Sequence, residues 1–375
     1  MKHYAQVGLL FMAAISSLLV AACQVATQKG SIKIAFVAPL TGDLAAMGQG
    51  MKNAAELALS EYRLQHPESQ RIELAIFDDR ADPKEAVNAA NQIISDPAVV
   101  AVVGHLNSGC SIPSSAVYNR HNLLMISPAS TNPKLTQQNF RNVFRTCTTD
   151  EAQGGFAADY LYQNAGLRKI AVIHDKTAYG QGLAEEFSKK FRANSGEIIS
   201  FDGINIGDKD FNALLTRIKS LSPQAIFFGG VYTEGGLISR QAKGLGLNAP
   251  LVGGDALKSP EYIDIGASAT EGDFVTMIGL PPEKLPRANE FIEKYRKSYP
   301  QAKIQPYDAY TYDTVMIIID AIQNAGRDKA KIIEYIAKIQ YSGATGTISF
   351  DEKGDTKNKA ITMYRIKDAT FHPLP

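Results

Sequence analysis

The feature that most constrains this chain is an alternation of short apolar runs with segments of helical spacing, played through twice. Residues 32–40 (IKIAFVAPL) are almost continuously apolar and stop at Pro39 and Gly42, as a strand buried on both faces does. Over residues 48–62, Met51, Ala54, Ala55, Leu57, Ala58 and Tyr62 recur at helical spacing, and residues 71–77 return to strand. The same reading predicts helices over 83–94 and 112–121 and strands over 99–104 and 123–127. Strands that follow one another through helices must run parallel, with helices on both faces of the sheet. After a short strand at 141–147 the pattern restarts. A helix at 152–165 leads to strands at 169–174, 198–201, 225–228, 251–253 and 274–277, with helices at 182–193, 211–221, 235–245 and 260–265 between them. Helices at 288–299, 307–325 and 330–339 and a terminal β pair, 346–351 with 360–366, complete the chain. A sequence of 375 residues is more than one core usually serves. The fold class is therefore α/β, built as two doubly wound halves.

The first 30 residues do not belong to that pattern. Lys2 precedes an apolar run over 7–20 and then Val20-Ala21-Ala22-Cys23. The run is short for a membrane span and sits where a signal peptide carries its apolar region. The small residues before Cys23 resemble the bacterial lipobox, which implies a signal peptide at 1–22, lipidation of Cys23, and a protein anchored in the membrane by acyl chains at the periplasm or cell surface. Without residues 1–22, Lys+Arg falls from 39 to 38 against 38 Asp+Glu, a net charge of zero that offers nucleic acid nothing. Cys110 and Cys147 are then the remaining pair, either bridged in an oxidising compartment or buried as thiols.

Catalytic signatures are missing. There is no G-x-S-x-G elbow, and the six histidines form no H-x-x-x-H pair. Gly244-Leu-Gly246-Leu-Asn-Ala249 matches G-x-G-x-x-A, but it follows a helix and precedes a strand, the reverse of a dinucleotide loop; a helix C-cap explains it better. Residues 42–50 (GDLAAMGQG) lack the Lys-Ser/Thr of a phosphate loop. No enzyme, metal site or cofactor is expected.

Several segments in order carry a resemblance: Val37-Ala-Pro-Leu-Thr-Gly42, Val103-Gly-His-Leu-Asn-Ser108, Ile126-Ser-Pro-Ala-Ser-Thr-Asn-Pro133, Phe144-Arg-Thr, Asp150-Glu-Ala-Gln-Gly154, Ala178-Tyr-Gly-Gln-Gly182 and Thr345-Gly-Thr-Ile-Ser-Phe-Asp351. Together they resemble the solute-binding proteins of branched-chain amino acid ABC transporters, the leucine/isoleucine/valine-binding family of type I periplasmic binding proteins. The resemblance implies two Rossmann-like lobes joined by three crossovers, with residues 31–149 plus 279–353 in lobe 1 and 150–278 plus 354–375 in lobe 2. It implies a monomer that closes on a free amino acid, leucine, isoleucine, valine or a similar aliphatic one, and delivers it to a membrane permease. By the same resemblance Ser108 and Thr131 would take the ligand's carboxylate, the Ala129 carbonyl and Asp255 its ammonium, Ser130 between them would belong to the same ligand-binding loop, and Tyr179 would reach across the cleft. Met47, Val231 and Tyr232 depart from the aromatic pattern the family often shows around the side chain, and Tyr307 reads equally as apolar closure or core. A binder or sensor of amides, urea or another small polar ligand on the same fold is the alternative.

Overall fold

The computed structural model describes residues 31–67 and 71–375; the expected signal peptide and Cys23 lie outside them. The first half runs β1 (Ile32–Ala38), α1 (Ala45–Gln65), β2 (Ile72–Asp78), α2 (Pro83–Ser95), β3 (Val99–Val103), α3 (Ser108–Arg120), β4 (Leu124–Ser127) and β5 (Val143–Arg145). The second runs α4 (Asp150–Asp159), β6 (Lys169–His174), α5 (Ala178–Ala193), β7 (Glu197–Gly203), α6 (Asn212–Ser220), β8 (Ala225–Gly229), α7 (Tyr232–Gly244), β9 (Leu251–Gly253), a 3-10 turn (Asp255–Leu257), α8 (Pro260–Gly266) and β10 (Phe274–Ile278). There follow α9 (Ala288–Ser298), α10 (Asp308–Ala325), α11 (Lys329–Lys338), β11 (Tyr341–Gly343), β12 (Gly346–Ile348), β13 (Ile361–Lys367) and β14 (Thr370–Pro373).

Two sheets result. The first has the order β2-β1-β3-β4-β5 and is parallel throughout. The second has the order β14-β13-β10-β9-β8-β6-β7, parallel from β7 to β10 and antiparallel beyond. Buried on both faces, the central strands are apolar without alternation: β3 is VVAVV and β8 AIFFG, every residue buried. In the second half Phe187 of α5 stacks on Phe227 of β8, their ring centres 3.8 Å apart. The long helix α10 packs along α1, on the first sheet's side, although 242 residues, the whole second half among them, separate the two helices in sequence.

The structure corrects several sequence expectations. Gly346–Ile348 pairs with Tyr341–Gly343, not with the strand at Ile361–Lys367, which instead joins the second sheet beside β10. The helix expected at 112 begins at Ser108, where Asn107 O already accepts from the amides of Cys110 and Ser111, each at 2.9 Å, and Pro113 falls inside the helix. Helix α5 likewise starts at Ala178, where Thr177 Oγ1 accepts from Gly180 N at 2.9 Å. Gly246, read as a helix cap, has φ +68 just past α7. Cys110 and Cys147 are both buried free thiols, which corrects the disulfide alternative. Cys110 lies within the field of Asp79 and Asp82, whereas Cys147 donates to Ser130 O at 3.4 Å.

Candidate ligand-binding site

In an open α/β sheet, functional groups gather beyond the carboxyl ends of the strands. Here both sheets bring such loops to one place. Asn132, after β4, donates through Nδ2 to Ala178 O at 2.5 Å; Tyr232 OH donates to Asp43 O at 2.6 Å; Tyr307 OH donates to Asp255 Oδ2 at 2.9 Å. The first two bonds join the first half to the second, and the third joins the second half to the start of α10, which packs along α1 of the first, so the two sides of the junction are in direct contact. A Cβ on Gly182 would sit 2.5 Å from Asn132 Nδ2, which shows how close the approach is.

Inside this junction one end is arranged for an anion. Ser108 is the first residue of α3, buried, with Oγ accepting from Asn132 N at 3.2 Å. A helix N-terminus presents free amides and a partial positive charge. Thr131 is fully buried and its Oγ1 has no hydrogen-bond partner in the structure. The loops are held by their own hydroxyls: Ser127 Oγ donates to His105 O at 2.8 Å, and Ser130 Oγ to Leu106 O at 3.0 Å while lying 2.6 Å from Ser111 Oγ. Ser130, expected to face a ligand, therefore has its hydroxyl turned into the scaffold, and Ala129 beside it is buried in the same loop. Arg145 carries this loop from below. Its Nη1 donates to Ser130 O and Asn132 O, both at 2.9 Å, its Nη2 to Thr136 Oγ1 at 2.6 Å, and its Nε to Asp355 Oδ1 at 2.5 Å.

The other end is arranged for a cation. Asp255 is fully buried; its Oδ1 accepts from Tyr179 OH and its Oδ2 from Tyr307 OH, both at 2.9 Å. Burial pushes its carboxyl up, with the two phenols and Gln153 opposing. Gly254 makes this contact: a Cβ there would lie 2.6 Å from the Tyr179 hydroxyl. The residue that sequence reasoning missed is Asp150. It opens α4, is fully buried, and has neither carboxylate oxygen hydrogen-bonded; both amide atoms of Gln153, one turn on, are also unpartnered. The Asp150 carboxyl is pushed up to about 8 by burial, the neighbouring Thr131 hydroxyl opposing and the Asp255 charge adding to the push. Its motif, D-E-A-Q-G, was visible, but nothing local marked the aspartate as more than a helix-start residue. Glu234 is not part of this cluster: its carboxylate caps Gly207 N at 3.0 Å and accepts from Thr233.

Met47, Val231 and Tyr232 are buried members of the apolar cluster that also holds Leu106, Ala129, Tyr179 and Tyr307 and runs through both halves. Tyr232 serves as a latch through its hydroxyl, and Tyr307, left open between closure and core, is polar in its key contact. Buried polar atoms nearly always have partners. Thr131, Asp150 and Gln153 converge without them, beside a helix N-terminus and opposite Asp255, which suits a small ligand carrying both charges. Among the described residues no group of three or more His, Cys, Asp or Glu is placed to hold a metal ion, and no helix is long and apolar enough to cross a membrane.

A family described as periplasmic binding protein matches residues 31–370. The chain is 36% identical over 343 residues to the Leu/Ile/Val-binding protein homolog 2 of Brucella abortus, covering 90% of this chain and 91% of that one. It is 35% identical over 349 residues to the leucine-, isoleucine-, valine-, threonine- and alanine-binding protein of Pseudomonas aeruginosa, covering 91% of each. Among solved structures, a leucine-binding protein of Thermotoga maritima superposes with a TM-score of 0.85 at 32% identity, over 92% of this chain and 98% of that one. The substrate-binding protein of a branched-chain amino acid transporter from Streptococcus pneumoniae, solved with isoleucine, does so at 0.83 and 27%, over 91% and 98%.

Proposed function

This chain belongs to the periplasmic binding protein family, and we propose that it is the extracytoplasmic binding component of an ABC importer, capturing a branched-chain or small aliphatic amino acid and handing it to the membrane permease. The observation that carries the reading is the pair of buried carboxyls, Asp150 and Asp255, gathered with the unpartnered Thr131 hydroxyl beside Asp150 and with Ser108 at the α3 N-terminus, which accepts from Asn132 N next to Thr131. A zwitterion answers both ends: its carboxylate meets Ser108, Thr131 and the helix amides, and its ammonium meets Asp255, Asp150 and the Ala129 carbonyl. Each charge-assisted hydrogen bond contributes roughly 1.5 to 3 kcal/mol. Amides and urea bring no ammonium to two buried carboxyls. Ligand binding without catalysis is the whole of the activity in this reading.

The moving bodies are residues 31–149 with 279–353 and residues 150–278 with 354–375. The bonds from Tyr307 to Asp255, Tyr232 to Asp43 and Asn132 to Ala178 form as they close. The chain acts as a monomer, tethered at the periplasm or cell surface through lipid on Cys23. Thermal shift against amino acids, amides and urea tests the ligand class. Leucine, isoleucine or valine at 100 times its dissociation constant should stabilise the protein by about 2.7 kcal/mol, and no response to any α-amino acid would overturn the proposal. Cys23→Ala should release the protein from the membrane fraction or leave it as precursor; processed variant still held in the membrane would refute the anchor.

A further inference from the structure

A second cavity, of about 160 Å³, lies on the crossover side of the molecule. Its walls come from both halves, with Phe291 of α9, Ala309 and Tyr310 of α10, Ile278 at the end of β10 and Tyr364 of β13, and they are mostly apolar. None of Ser108, Thr131, Asp150, Tyr179 or Asp255 lines it. Tyr310 OH donates to Ile278 O at 2.9 Å, tying the two walls together.

One cation faces this space. Lys258 follows the short turn that carries Asp255 and lines the cavity, and its Nζ stands 4.5 Å from the Tyr364 ring centre and 4.5 Å from that of Phe371. Among the described residues its ammonium has no hydrogen bond and no ion pair; Glu283 is the carboxylate whose field reaches it, and burial nonetheless pushes it down to about 8. Two aromatic faces hold an ammonium in place without neutralising it. A cation without a counter-ion at the wall of an apolar cavity is the complement of an amphiphilic anion. In size the cavity compares with the roughly 150 Å³ apolar cavity that takes up benzene, so it suits a body of about six carbons.

We propose that this cavity is a second ligand site, for a monocarboxylate with an apolar body of about six carbons, its carboxylate on Lys258 and its body between Ile278, Phe291 and Ala309. The site shares none of Ser108, Thr131, Asp150, Tyr179 or Asp255 with the amino acid chamber. Calorimetry with hexanoate and with 1-hexanol, on the native protein with and without saturating leucine, tests it. Hexanoate should bind in both conditions and more tightly than the alcohol. Lys258→Met should weaken hexanoate by about tenfold or more, the loss of one charge-assisted contact, and remove its advantage over hexanol. Ala309→Phe should fill the cavity and abolish both. Leucine titrations of the two variants report whether the fold survives. Hexanoate that is displaced by leucine, or that binds Lys258→Met as well as the native protein, overturns the proposal; so does no binding to native protein.

Discussion

Asp255→Asn is the substitution on which the binding mechanism turns. Asp255 is fully buried between two phenols, each 2.9 Å from one of its oxygens. Asparagine has the same shape: its carbonyl accepts from one tyrosine and its amide donates to the other hydroxyl, which is able to accept. The fold should therefore survive, and removing a buried carboxyl that burial already disfavours should leave the melting temperature of the unliganded protein close to native. The bound state behaves otherwise. The ligand ammonium loses its counter-charge inside a closed site, a loss of roughly 3 to 5 kcal/mol, on the order of a hundredfold to a few thousandfold in affinity. Calorimetry with leucine, paired with thermal melting of the same samples, measures both quantities. Affinity within about fivefold of native, the range of an exposed charge contact, would refute the assignment and move the ammonium to Asp150, for which Asp150→Asn is the matching experiment.

Because the Asp150 carboxyl stands at about 8 in the protein, it holds its proton near neutral pH and must release it to face an ammonium. Leucine affinity should rise from pH 6 to pH 8, and titrations in buffers of different ionisation heat should show net proton release; identical heats in every buffer would exclude it. The same shift upward from 3.8 means that the unliganded protein loses stability as pH rises through this window, since the unfolded chain ionises Asp150 first. Tyr307→Phe removes one bond between the halves and one donor to Asp255, and should weaken leucine by roughly tenfold and reduce the compaction seen by small-angle scattering on saturation. Arg145→Lys cannot serve Asp355, Thr136 and two carbonyls at once; urea unfolding should show a loss of roughly 3 kcal/mol. Burial raises both Cys110 and Cys147, so mass spectrometry should find neither alkylated in native protein and both alkylated after unfolding.

Much of this fold was legible in the residue order, because burial of a central strand and the spacing of a helix face are local properties. The strands Lys169–His174 and Leu251–Gly253 and the helix from Pro83 onward lie where apolar runs and turn residues put them. The motifs around Ser108, Thr131, Tyr179 and Asp255 could likewise be read from sequence, and these segments do meet at one junction. What the sequence could not contain was direction and partnership. Tyr307 and Asp255, 52 positions apart, bond across the two halves, and Arg145 finds Asp355, 210 positions on. Ser130 turns into the scaffold while its neighbour Thr131 stays unpartnered. The pairing of Gly346–Ile348 with Tyr341–Gly343 and the separate burial of the two cysteines were decided in the same way. Asp150 shows the reason most clearly: as a helix-start aspartate it is ordinary, and it becomes a desolvated carboxyl opposite Asp255 only when both halves close and exclude water from it.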